Sequence, residues 1–307
     1  MPTYTTSLPE VLEPWVTEIV MNQFNQLEPI FPKLFNMKTS TKAFEDTFEV
    51  SGLGTFRLKA EGTPVSYDDP VQSLRKRIVF SVYALGFRCS MEMMEDDQHG
   101  VIEKMASDLG ESARDHKENI AWGVVNDAFT GTLYKGIPEG DGTARALVST
   151  GHIGLKDGAT RSNRLSPDVA FSVSGLQAAI TNYRLTKGQS GRQIRITPSV
   201  VVHHPNDEFA VVQVLDSTLE PFTADNQVNA VSRSRMGLTT LSVPYLTDTD
   251  NWLLCANKSS HTLKWYDRKE FQFDRNKDAQ TKDSLWDGMY RGAATFENWY
   301  GVVGSAP

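Results

Sequence analysis

Between residues 74 and 88 apolar and polar positions alternate. Leu74, Lys76, Ile78, Phe80, Val82 and Ala84 share one side, and Arg75, Arg77, Val79, Ser81, Tyr83 and Leu85 share the other. A period of two predicts a strand. Residues 48–58 read as a second extended segment, and Gly62, Pro64, Asp68, Asp69 and Pro70 break the chain between the two. Neither side of this pair is fully apolar, so it reads as a charged hairpin outside the core. A lone hairpin is marginal in water. One that projects therefore needs another surface to lie on, and residues 51–77 hold too little apolar surface to anchor themselves.

Past this hairpin the period changes. Ile102, Met105, Ala106, Leu109, Ala113, Ile120, Ala121, Val124 and Ala128 recur at helical spacing. Glu103, Lys104, Asp108, Glu111, Arg114, Asp115 and Glu118 take the other side. One helix over about 98–130 is predicted, ~48 Å long at 1.5 Å per residue. Asp96 or Asp97 is placed to cap it, and Gly131 to end it.

The remaining pattern is more broken. A short helix is expected over 15–26, with Trp15, Ile19 and either Val20 or Met21 on its packed side, and prolines at 29 and 32 stop it. Whether this segment caps its own domain or packs on a neighbour stays open. Residues 131–165 are rich in Gly, Thr, Asp and Pro, with one short strand expected over 144–148. Helices follow over 174–185, with Leu176, Ala179, Ile180 and Tyr183 inward, and over 206–215 behind Pro205. Strands are expected over 194–203, 238–246, 252–256, 263–268 and 271–274. A polar loop spans 218–237, and the aromatic tail over 285–303 reads as a final strand closing the first domain.

Composition narrows the function without choosing it. The chain has 307 residues, 39% of them hydrophobic, with 38 acidic against 31 basic side chains and a net charge of −7. That balance argues against a dedicated nucleic-acid binder, whose affinity comes from Lys and Arg neutralising phosphates. Cys89 and Cys255 form no CxxC pair and read as two buried free thiols. The N-terminus lacks a signal-peptide pattern, and no apolar run approaches the ~20 residues that span a bilayer.

Motifs for catalysis are weak. There is no GxxxxGK[ST] phosphate loop. Gly140-Asp141-Gly142-Thr143-Ala144-Arg145 lacks the third glycine and preceding strand of a dinucleotide site, so it reads as a turn. Gly188-Gln189-Ser190-Gly191 misses the nucleophile-elbow spacing and reads as an exposed flexible turn. His203-His204 with Asp207 and Glu208 is the best metal candidate, yet adjacent strand side chains point to opposite faces. No metal is expected there.

Several stretches carry a family resemblance. Phe48-Glu49-Val50-Ser51-Gly52-Leu53-Gly54, Lys59-Ala60-Glu61-Gly62 and Val65-Ser66-Tyr67-Asp68-Asp69-Pro70 lead to Gly86-Phe87-Arg88 and Met91-Glu92-Met93-Met94-Glu95-Asp96-Asp97. Further on stand Ser162-Asn163-Arg164-Leu165, Pro205-Asn206-Asp207-Glu208-Phe209 and Ala224-Asp225-Asn226-Gln227-Val228-Asn229-Ala230. As an ordered set they resemble the major head protein of Mu-like tailed bacteriophages, which has the HK97-like capsid fold. The resemblance implies an α+β chain with an N-terminal arm over 1–45 and an extended E-loop over 46–85. It implies a P-domain over 86–165 and 262–307, whose spine is the long helix, and an A-domain over 166–261.

The same resemblance implies a structural protein, neither enzyme nor cofactor carrier. Subunits would form pentamers and hexamers that close into an icosahedral head around double-stranded DNA. Assembly contacts are expected from the E-loop through Lys59, Glu61, Tyr67, Asp68, Asp69, Arg75, Lys76 and Arg77. The last three would pair with acids of a neighbour, such as its Asp68, Asp69 or spine. An axial loop of the A-domain would contribute Glu220, Asp225, Arg233 and Arg235, each arginine needing an acid on the adjacent copy. The implied partners are other copies, a separate scaffolding protein, a maturation protease, a portal, a possible decoration protein and weakly held DNA, with no membrane. The subunit would be made in the host cytoplasm and end in the virion. Two other readings stay open: an encapsulin-type nanocompartment shell, and a cytosolic hydrolase with an unrecognised site.

Overall fold

The computed structural model describes residues 8–96, 100–219, 228–281 and 283–307. The chain opens with α1 (Leu8–Asn25), α2 (Phe31–Leu34), β1 (Asn36–Thr39) and β2 (Phe44–Thr47). After a long excursion it returns as β3 (Lys76–Val79) and β4 (Ser81–Cys89), then α3 (Met91–Asp96) and α4 (Val101–Asn126). Next come β5 (His152–Ile153), β6 (Thr160–Arg161), α5 (Val173–Leu185), β7 (Pro198–His203), α6 (Glu208–Asp216) and α7 (Arg233–Met236). The rest is β8 (Thr239–Ser242), β9 (Trp252–Ala256), β10 (Leu263–Lys277), β11 (Ser284–Phe296) and β12 (Val302–Ser305).

Two four-stranded sheets organise the chain. The first runs β1-β10-β11-β4 and the second β12-β9-β7-β8. β1 pairs parallel with β10 and β7 parallel with β8; the other pairings are antiparallel. α4 packs on β11 and β4 around a core that includes Trp122, Trp265 and Trp286. α5 and α6 cover the second sheet through Leu176, Ile180, Tyr183, Val211 and Leu215. Both sheets use one tail: β11 completes the first sheet, and β12, a few residues on, completes the second.

Several expectations change here. The tail is two strands in two sheets, so it ties both sheets together instead of closing only one. The segments 263–268 and 271–274 are one strand, β10, whose register shifts between Asp267 and Gln272 mark an irregularity that apolar period mistook for a break. The alternating run 74–88 splits at Phe80: β3 pairs with β2 in a separate ribbon, whereas β4 pairs with β11 as a sheet edge. No strand forms over 144–148; that loop is held instead by isolated bonds such as Gly136 N–H to Arg145 O, 2.9 Å.

Helix ends and faces also differ. α4 starts after Gly100, in a left-handed conformation (φ 63°), with no side-chain cap. Asp96 closes α3, and Asp97 lies outside the described residues. α1 begins by Leu8 and carries Pro14 inside it. Among its residues from 14 to 25, Val16 and Val20 are buried, while Trp15 is 40% exposed. α1 packs on α4 of the same chain, and the approach is close: a Cβ at Gly110 would lie 2.5 Å from the Val20 carbonyl oxygen.

Arg114 and Glu118, placed on the polar side of the helix by their charge, are both buried, Arg114 against α1 and Glu118 against the start of α2. Glu118 is 2% exposed and accepts from the backbone N–H groups of Ile30 (2.5 Å) and Phe31 (3.2 Å) and from Trp122 Nε1 (2.7 Å). Burial raises its pKa, and those three donors oppose the rise. Arg114 donates to the Gln23 carbonyl at 3.2 Å. The two charges therefore fasten α1 and the start of α2 to α4, because a buried charge persists only when its bonding capacity is met.

Candidate assembly surface

The excursion between β2 and β3 is the most unusual surface of the molecule. From residue 52 to 72 every position is exposed except Gly54, which is half-buried. Yet the stretch is not polar. Leu53, Phe56, Leu58, Val65, Tyr67 and Val71 are all exposed, Phe56 and Leu58 completely. The expectation of little apolar surface is thus corrected: the apolar groups are present, and among the described residues no part of their own chain covers them.

The loop's root, by contrast, is built tightly. Phe44 to Thr47 pair with Val79 to Lys76 in β2–β3. Above that ribbon, the buried hydroxyls of Ser51 and Ser73 replace missing ladder bonds. Glu49 N–H donates to Ser73 Oγ (2.8 Å) and Val71 N–H to Ser51 Oγ (3.0 Å). Gln189 Nε2 donates to Glu49 Oε2 at 2.9 Å. Burial pushes the Glu49 carboxyl up to about 7, and the charges of Glu139 and Glu297 add to the rise. Gly188 and Gln189 are buried, so their turn is a clamp on the root and not the exposed, flexible feature expected.

The basic triplet divides as strand alternation requires. Arg77 grips Asp46 with two bonds, 2.8 and 2.9 Å, and Arg75 lies 3.6 Å from the same carboxylate. Lys76 points the other way, where Nζ donates to Thr295 Oγ1 (2.7 Å) and the Phe296 carbonyl (2.6 Å) of β11. Burial lowers its pKa to about 8, against the charge of Glu297. All three thus have partners in their own chain. Asp68 bonds Gly54 N–H at 2.7 Å and pairs with Lys156, whose Nζ also reaches the Asp69 carbonyl at 3.0 Å. Lys59, Glu61 and Tyr67 stand exposed at the tip.

At the other candidate surface, Glu220 and Asp225 lie outside the described residues. Arg233 and Arg235 are exposed on α7. Arg233 pairs with Asp216 of its own chain at 3.0 Å, so it does not depend on an adjacent copy for its acid. The loop's inner end is pinned by buried Asn229, which donates to the Val214 and Ser217 carbonyls and accepts from Val231 N–H.

A buried network missed in the sequence supports the region between the two sheets. His152 is fully buried, its Nδ1 2.5 Å from Glu139 Oε1 and its Nε2 3.0 Å from Asn163 Oδ1, and its ring stacks on Trp299 at 4.6 Å. Arg145 closes the network on Glu139 and Asp141. The signal was there in the polar run 131–165, but only the fold brings its members together. Among the described residues no group of three metal-ligating side chains occurs. His203 is buried with Nδ1 on the His204 carbonyl. Cys89 and Cys255 are both buried and form no disulfide, as read from the sequence.

A projecting loop with uncovered apolar groups, a long helix on one sheet and a second sheet sharing its tail form a distinctive set. A family model described as phage capsid protein matches residues 75–305. The chain belongs to the phage capsid protein family. Its fold is similar to that of the capsid of the native GTA particle, with a TM-score of 0.59 at 11% identity over 92% of each chain. It is also similar to a virus-like particle from Pyrococcus furiosus (TM-score 0.52, 8% identity, 94% of this chain and 96% of that one). A third similar structure is the procapsid of bacteriophage JBD30 (TM-score 0.51, 14% identity, 99% of this chain and 76% of that one). No curated protein matches the chain. The fold is the HK97-like capsid fold, and the protein is a major capsid shell subunit, a structural component that associates with copies of itself.

Proposed function

We propose that this capsid protein is the major head protein of a Mu-like tailed phage. Its subunits form pentamers and hexamers that close into an icosahedral head around double-stranded DNA. In this reading α4 with the first sheet serves as the P-domain, and α5, α6 and the second sheet as the A-domain. Residues 46–85 then hold the E-loop, with its ordered root and its projecting tip, and α1 belongs to the arm. The observation that carries it is the contrast within one loop: a bonded root and a tip with six large apolar side chains uncovered. A surface of that kind marks a contact with another molecule. Repetition of one modest contact over many copies gives a closed shell its strength.

The E-loop residues Lys59, Glu61, Tyr67, Asp68, Asp69, Arg75, Lys76 and Arg77 belong to this contact, the tip directly and the triplet by holding the root. The α7 loop with Glu220, Asp225, Arg233 and Arg235 sits at the symmetry axes. A separate scaffolding protein, a maturation protease and a portal act on it in the host cytoplasm. An encapsulin-type shell is the less favoured reading, because the matching family model is a phage one. Electron microscopy and sedimentation of the purified chain test the proposal. Closed shells of pentamers and hexamers are expected, and a stable small oligomer at every concentration would refute it. Shells that enclose a protein cargo in place of nucleic acid in the infected cell would favour the nanocompartment.

A further inference from the structure

A cavity of about 10 Å³ lies where the loop root meets the body of the subunit, and Glu49, Glu139 and Glu297 all line it. Two of these carboxylates are matched by charge. Arg145 pairs with Glu139 at 2.9 Å, with His152 on the other oxygen, and Lys264 holds Glu297 at 2.6 Å. Among the described residues no cation pairs with Glu49. Its side-chain partners are two amides, those of Gln189 (2.9 Å) and Asn298. Tyr300, whose hydroxyl is raised by burial and then by the charge of Glu49, brings no positive charge to the site.

An ionised Glu49 is therefore poorly served where it stands. A cavity of this size has room for one water at most, and a buried charge without a cation or full hydration is disfavoured. Glu49 is also part of the clamp itself. Its N–H donates to Ser73 Oγ and its carbonyl accepts from Ser73 N–H, both at 2.8 Å. Gln189 in turn accepts from Leu155 N–H through Oε1 at 2.8 Å and from Lys156 N–H through its carbonyl at 3.2 Å. Lys156 holds Asp68 and the Asp69 carbonyl. Two attachments of the loop to the body, at Glu49 and at Asp68–Asp69, thus share the Gln189 hub.

We propose that Glu49 is a proton-operated latch on the loop root: protonated, it lets the root close on Gln189, and ionised, it favours an open root in which its carboxylate reaches water. The latch acts within one subunit, so it goes beyond the shell reading and does not depend on it. Its working range follows from linkage. Burial, and after it the charges of Glu139 and Glu297, raise the carboxyl from 4.5 to about 7 in the closed root. Opening to water returns it to 4.5. Each pH unit between those values multiplies the open-to-closed ratio about tenfold, and the gain levels off above about 7.

Amide hydrogen exchange of the unassembled subunit tests the latch, with rates corrected for the intrinsic pH dependence of exchange. The bonded N–H groups of Glu49, Ser51, Val71 and Ser73 report the root. Their corrected exchange should rise roughly 50-fold between pH 5 and pH 8. In Glu49→Gln, which keeps an acceptor for Gln189 and cannot ionise, the change should stay under about twofold. An equal rise in Glu49→Gln would assign the effect to another group such as Lys76, and a level wild-type profile would show that the root does not answer to this proton. Either result overturns the latch and leaves the shell reading intact.

Discussion

α4 and the loop over 52–72 are both studded with apolar side chains, yet they use them in opposite ways. α4 buries ten of its 26 residues against α1 and the first sheet. The loop buries none over 52–72. The helix repeats its apolar groups at a period that gathers them on one stripe, so its own chain can cover them. The loop spaces Phe56 and Leu58 for an extended chain that leaves the body of the molecule. Apolar burial in the subunit is therefore concentrated around α4, and the loop over 52–72 adds no buried contact to it.

The largest expected effect sits on the helix side. Glu118→Ala strips the acceptor from the Ile30 and Phe31 N–H groups and Trp122 Nε1, leaving buried donors unmatched. A loss of about 3 kcal/mol or more in unfolding free energy of the unassembled subunit is expected by denaturant titration. A loss under about 1 kcal/mol would mean the packing of the start of α2 on α4 is not where stability lies. Gly110→Val comes next. Its side chain would strike the Val20 carbonyl and push α1 away, with an expected loss of about 1–3 kcal/mol. Wild-type stability in the Gly110→Val variant would show that α1 is not held against α4.

Glu49 sharpens the comparison at the boundary between root and tip. Its pKa is 4.5 in ordinary surroundings and about 7 when folded. The folded state thus holds this proton more tightly than the unfolded chain. The stabilisation is full below about 4.5 and is lost as pH rises through about 7, on the order of 3 kcal/mol. Lys76, lowered to about 8, runs the other way: its contribution is lost as pH falls through that value. Wild type and Glu49→Gln share Lys76, so their difference isolates Glu49. The variant should gain stability relative to wild type as pH increases from 5 to 8; parallel pH curves would refute a buried Glu49. The smallest effect belongs to the tip. Val65→Ser with Tyr67→Ser should change subunit unfolding by less than ~0.5 kcal/mol, and a larger loss would mean the tip packs on its own chain.

The periodic parts of this fold were legible in the sequence. α4, α5 and β9 follow their apolar spacing, and the two thiols are buried as expected. What failed did so where charge was read as exposure. Arg114 and Glu118 fall on the polar side of the helix by charge alone, but the backbone groups that they bond come from residues 23 to 31, far back in the chain. Lys76 likewise meets β11 across more than two hundred residues. The His152–Glu139–Asn163 network and the Gln189 clamp lie in loops without period, where nothing local announces a contact. The candidate assembly surface was visible as a charged excursion, but the strand expected over 48–58 does not form, since the ribbon at its root is Phe44–Thr47 on Lys76–Val79, and its apolar tip was underrated because Leu53, Phe56 and Leu58 are interleaved with glycine and basic residues.

Amide hydrogen exchange over residues 52–72, compared between unassembled subunits and closed shells, tests the central claim most directly. Amides without buried cover exchange quickly. The loop should exchange fast in the subunit and at least about tenfold more slowly in shells, while α4 stays protected in both. Equal exchange of the loop in the two states would contradict the claim that its order comes from a neighbouring copy.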